Sequence, residues 1–170
     1  MSDQIFNKFK LHVKNNYIIR WESEIENFPI LRTYRLFKSS FGEEPYLSLI
    51  KDHKLRKCVA QLRLSSHRLA IEVGRHAYPK LDLNMRVCKL CNSNAVEDEL
   101  HFLFHCTFLQ EERIKFFAAI NSYDISILDE DPTSTIYNIF NSCNDRVLFS
   151  LGKYVSKCFH LRHIFLASAD

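Results

Sequence analysis

Three observations predict a mainly α-helical fold: a small helical domain built around one Cys-Cys-His-Cys cluster, with long helices at both ends. The chain of 170 residues holds only three Gly and four Pro, few turn formers for an all-β protein and an ordinary number for a helical one. Apolar residues recur at intervals of three and four near both termini, the period of one helix face. Three of the six cysteines crowd with a histidine into residues 88–106. A hydrophobic fraction of 46% with 14 Phe supplies enough apolar surface for a packed core and argues against a disordered chain.

Taken in order, residues 4–27 read as an amphipathic helix carrying Phe6, Phe9, Val13, Tyr17, Trp21 and Ile25, stopped by Pro29. Residues 31–37 fit a strand or a short helix. The Gly42-Glu43-Glu44-Pro45 run is a turn into a short helix with Pro near its first position. Residues 55–64 form a helix with Leu55, Val59 and Leu62 inside and Arg56, Lys57 and Arg63 outside. Ser65-Ser66 is read as the cap of a further helix that Gly74 ends. Residues 75–87 are a loop, 97–104 and 111–120 are helical, and 122–134, with Asp129-Glu130-Asp131-Pro132, is the least ordered internal stretch. A last helix covers 144–166, with Val147, Leu151, Tyr154, Val155, Cys158 and Leu161 on its apolar side. These elements divide into an N-terminal helical segment (1–50), basic helices with the cysteine cluster (51–122), and an acidic loop with a C-terminal helix (123–170).

The spacing Cys88-x2-Cys91-x9-His101-x4-Cys106 is a metal-ligand pattern. Two cysteines separated by two residues reach one ion from a tight turn, and a helix carrying His101 returns toward them. Cys106 then closes a tetrahedron of three thiolates and one imidazole around Zn2+, a closed shell with no position for a substrate water. Four ordinary buried residues would not need this spacing. His105 shares a helix face with His101 and is the rival ligand. Cys58, Cys143 and Cys158 lack partners at metal spacing and read as small core residues. The N-terminus, Met1-Ser2-Asp3-Gln4, has no basic start and apolar run of a secretory signal. No stretch approaches the roughly 20 apolar residues of a membrane span. An intracellular location, nuclear or cytoplasmic, is therefore expected, where clustered cysteines bind metal rather than form disulfides.

Residues 62–75, then Arg86-Val87-Cys88-Lys89-Leu90-Cys91, then Glu97-Asp98-Glu99-Leu100-His101-Phe102-Leu103-Phe104-His105-Cys106, together resemble the zinc-binding region at the C-terminal end of non-LTR (LINE-type) retrotransposon reverse transcriptases. The likeness covers about residues 31–120, and the Phe159-His160-Leu161-Arg162 ending is similar to the ends of such reading frames. Thr107 departs from the Pro often found after the last cysteine; this loosens a turn and removes no ligand. The resemblance implies a non-catalytic appendage that helps a polymerase hold RNA or DNA, with the remainder of such an enzyme as a partner. Two-metal polymerase chemistry needs paired aspartates of the Tyr-x-Asp-Asp kind, and the sequence has none.

Charge is unevenly spread. Residues 51–91 carry ten basic and three acidic groups, and residues 92–131 two basic and nine acidic. This predicts a polyanion-facing surface and a separate solvated face. Lys54, Arg56, Lys57, Arg63, Arg68, Arg75, Lys80, Arg86 and Lys89 are the candidate contacts to RNA or DNA, since cations on a folded surface neutralise phosphates and release counterions. The bland alternative is a solvated helix face. Tyr46 and Tyr78 could stack bases. Ser65-Ser66-His67 lacks a nucleophile elbow and an evident acidic partner, so a hydrolase is not expected. Neither a small-molecule substrate nor a membrane partner is expected. The competing function is a zinc-stabilised helical protein-interaction module, with a metallohydrolase a distant third. RNA and DNA are not separable from the sequence.

Overall fold

Capping side chains placed ahead of apolar runs open several helices of the computed structural model, which describes residues 3–38, 40–129 and 131–168. Met1, Ser2 and Glu130, which figured in the reading of the N-terminus and the acidic loop, lie outside the described residues. Asp52 accepts from the backbone N–H groups of Lys54 and Leu55 and starts α4 (His53–Arg63). Asp131 caps α7 (Pro132–Phe140) through Ser134 N–H, and Asn144 caps α8 (Asp145–Ala167) through Arg146 and Val147. Each side-chain oxygen satisfies backbone donors that have no partner in the first turn. The other helices are α1 (Asp3–Asn27), α2 (Arg32–Phe37), α3 (Pro45–Leu49), α5 (Ala70–His76) and α6 (Gln110–Tyr123). No strand occurs among the described residues; one isolated antiparallel bridge pairs Val87 with Val96.

α8 runs through the centre, packed against α4 and α6. Its Gly152 lets α4 approach so closely that a Cβ there would lie 2.9 Å from the Leu55 Cβ. One cluster of buried residues draws on all three predicted segments, from Phe37 and Ile50 through Val59, Leu62 and Phe102 to Phe140, Leu148 and Val155.

Residues 31–37, which fitted a strand or a short helix, are helical: a 3-10 turn (Pro29–Leu31) leads into α2. Other expectations are corrected. Ser65 caps nothing: it adopts φ 51° and is buried, while α5 begins at Ala70 without a side-chain cap and continues through Gly74 to His76. The stretch read as poorly ordered holds a 3-10 turn at Ile125–Ile127 and the start of α7, with Asp131 acting as a cap. α1 forms as predicted, yet Phe6, Phe9, Val13 and Tyr17 are exposed and only Ile25 on this helix is buried. Residues spaced by four advance about 40° per step. The apolar row from Phe9 to Ile25 therefore winds around the helix instead of lining one face. Among the described residues its C-terminal part is held by edge contacts of Tyr17 and Trp21 with Phe41 and by Arg35, which donates to Ile25 O and Glu26 O.

Candidate metal centre and the groove beside it

The Val87–Val96 bridge closes a short hairpin, with Cys88 N–H donating to Ala95 O and Glu97 N–H to Arg86 O. Asn94 occupies its turn at φ 54°, a conformation Asn tolerates well. This places Cys88 and Cys91 on a knuckle facing the next helical turn. There Asp98 accepts from His101 N–H at 2.7 Å, and the helix widens to π-type geometry over His101–His105 before Cys106.

The ligand atoms of Cys88, Cys91, His101 and Cys106 lie within 4.8 Å of one another. Cys88 Sγ and Cys106 Sγ are 3.9 Å apart, and Cys91 Sγ and His101 Nε2 are 3.4 Å apart. A tetrahedral site with metal–sulfur bonds of about 2.3 Å has edges of about 3.8 Å between sulfurs, close to the Cys88–Cys106 and Cys91–His101 separations, so these four residues could hold a metal ion. Contact with Cys106 and burial push the Cys88 thiol well up, while contact with Cys88 draws Cys106 down. A metal ion takes cysteine as the thiolate, so binding here would displace the thiol protons. His105 is exposed and stands outside the cluster. Among the remaining cysteines, Cys158 is a core residue whose thiol burial pushes up to about 12, Cys58 is half-buried, and Cys143 is exposed, against expectation. Arg113, not foreseen, donates to Leu103 O at 2.8 Å and to Cys106 O, fixing the last turn of the metal loop.

The acidic residues of that loop hold neighbouring elements together instead of forming a separate solvated face. Glu97 is buried; its carboxylate takes both Arg162 Nε and Nη2 at 2.7 Å and Ala70 N–H at 2.6 Å. Glu99, also buried, accepts from Arg32, from Ser65 Oγ at 2.8 Å, and from His67 Nε2 at 2.8 Å. Burial alone would raise Glu99, but His67 and Arg32 outweigh it and hold the carboxyl at about 2. Ser65 and His67 therefore do have an acidic partner. It lies between them, however, and His67 Nδ1 accepts from Leu69 N–H, so no base faces the serine.

The nine candidate nucleic-acid residues separate into two groups. Arg63 is corrected from exposed to fully buried: it pairs with Glu44 beneath the rings of Tyr34, Phe37, Tyr46 and Phe140. Tyr46, a proposed stacking residue, is likewise buried, while Tyr78 is fully exposed. Arg86 is also buried, donating to Leu81 O and Ile71 O. It lies against Gly74, where a Cβ would come within 2.5 Å of the Arg86 Cγ. Arg75 pairs with Glu72, and Arg56 donates to Ile50 O. These four meet internal acceptors because a guanidinium's several donors suit buried carbonyls and carboxylates. Lys54, Lys57, Arg68, Lys80 and Lys89 are exposed and make no ion pair among the described residues.

Arg68, Arg75 and Lys89 line a groove of about 950 Å³ between the segment leading into α5 and the C-terminal part of α8. Lys54 and Lys57 precede its lining residues Cys58 and Gln61 by four positions each on α4. The α8 contribution, Phe159, Arg162 and His163, was not among the predicted contacts; the signal was present in a helix with no acid after Asp145. Among the described residues no helix is long and apolar enough to cross a membrane. Fold and site together define a helical protein with a Cys3His cluster that could hold a metal ion. No protein-family model, curated protein or solved structure gives a significant match to the chain.

Proposed function

We propose that this chain is a zinc-stabilised nucleic-acid-binding module, non-catalytic by itself, akin to the C-terminal region of LINE-type reverse transcriptases and acting inside the cell. The observation that carries the reading is how charge is sorted beside the metal cluster. The acids Glu72, Glu97 and Glu99 are buried and paired, whereas Lys54, Lys57, Arg68, Lys80 and Lys89 reach solvent unpaired. In the groove beside the cluster, the charges left for a polyanion to meet are therefore those of Arg68 and Lys89. Zinc is the metal favoured by three thiolates and an imidazole in a closed tetrahedral set.

The test is a salt titration of binding to labelled RNA and duplex DNA. Affinity should fall with a log–log slope near −0.9 per duplex phosphate neutralised, or −0.7 on a single strand. Replacing Lys54, Lys57, Arg68 and Lys89 by Ala should flatten the slope with zinc content unchanged. A zinc-free protein, or no binding of either nucleic acid below about 10 µM at physiological salt, would overturn the proposal. The second reading, a protein-interaction module, draws on the exposed Ile5, Phe6, Phe9, Leu11, Val13, Tyr17 and Ile19 of α1 and would then stand in its place.

A further inference from the structure

We infer that the groove between the residues 65–75 segment and the C-terminal part of α8 seats a single-stranded nucleic-acid segment, an inference that rests on the nucleic-acid reading above. Its acidic lining, Glu72 and Glu97, is buried and neutralised by Arg32, Arg75 and Arg162. The basic lining groups that reach water without a partner among the described residues are Arg68, Lys89 and His163. Ring faces share the lining: His76 and His163 are exposed and Phe159 is half-buried, beside the apolar Val73, Ile30 and Leu166. Cations for phosphates with ring faces for bases is the composition of a single-strand channel. Arg75 and Arg162 are recessed, with side chains 19% and 13% exposed. A flexible strand can enter such a groove, while the rigid cylinder of a duplex meets only its rim.

The groove is also tied to the metal loop. Glu97 joins Arg162 of α8 to the Ala70 N–H of α5, and its carbonyl accepts from Ile71 N–H. Glu99 fixes His67 and Ser65 on the same wall. Both walls thus hang on residues placed between the ligands Cys91 and His101, and the width of the groove follows the fold of that loop.

The experiment uses the full chain and fluorescence anisotropy with labelled single-stranded RNA and DNA of about eight nucleotides, within the usual site sizes of single-strand binders, and a duplex of equal length. Two variants probe the groove: Arg68→Glu with His163→Glu, which reverses its charge, and Ser66→Trp, which obstructs it without changing charge. Lys10→Glu with Lys14→Glu on α1 is the control for net charge. Zinc content and helicity are measured on all. Single strands should bind more tightly than duplex, and both groove variants should weaken them about tenfold, against less than about twofold for the control. Tighter duplex binding, or equal losses in groove and control variants, overturns the groove assignment and leaves the nucleic-acid reading standing. Salt-dependent binding untouched by either groove variant has the same meaning. No binding of any nucleic acid by the unaltered chain overturns both.

Discussion

Arg63 shows at the scale of one residue how a charge changes meaning with its surroundings. Its guanidinium has no exposure and lies among four aromatic rings, paired with Glu44. Lys38 reaches the other Glu44 oxygen at 2.9 Å. Removing one partner of a buried pair costs about 3–5 kcal/mol; with Lys38 still holding Glu44 the lower figure applies, and the space left among the four rings adds to it. Arg63→Ala should therefore lower the melting temperature by about 10 °C, at roughly 2–4 °C per kcal/mol for a chain of this size. Zinc content should not change. Calorimetry with metal analysis checks this; a melting temperature within about 2 °C of the parent would return Arg63 to the surface. The four residues of the Cys3His cluster, by contrast, were legible from residue type and spacing alone, which constrain such a group before any distant contact forms.

The metal loop acts as an element through Glu97 and Glu99, which bind α2, the residues 65–67 turn, α5 and α8. Glu99 carries a pH signature. Its folded-state pKa of about 2 lies below the ordinary value of 4.5. A depressed carboxyl stabilises the fold fully above its unfolded pKa, and that contribution is lost as pH falls toward the folded one. Acid titration followed by circular dichroism should therefore show stability declining between about pH 4.5 and 2, with Glu99→Gln less stable at neutral pH and flatter across that window. An unchanged acid profile for Glu99→Gln would remove the carboxylate from this role. The sequence displayed these acids plainly but not their burial, since Glu97 and Glu99 differ from exposed Glu111 only in what folds over them.

For the whole molecule, the metal cluster and the core hold each other in place. Cys88 and Cys106 belong to the same buried cluster as Phe102, Leu109 and Val155, and Tyr154 of α8 donates to Leu103 O within the loop at 2.7 Å. Closed thiolate sites contribute directly to folding free energy. Chelation or Cys91→Ser should thus raise hydrogen exchange across residues 75–120, and the disturbance should pass through Arg162 and Tyr154 into the end of α8. α1, held only near Trp21 and Ile25, should exchange equally with and without metal. Unchanged protection of residues 75–120 after chelation would show that packing alone holds the loop.

The sequence by itself determined the helical class, the approximate span of the long helices and the four residues that come together as the Cys3His cluster. Each of these follows from residues close together in the chain: apolar repeats of three and four, and three cysteines and a histidine within residues 88–106. The tertiary structure decided which charges face water. Arg32 meets Glu99 across 67 positions, Arg162 meets Glu97 across 65, and Arg63 meets Glu44 across 19. No local pattern encodes such pairs. A guanidinium is stable either hydrated at the surface or desolvated against a carboxylate, and only the packed fold selects between the two.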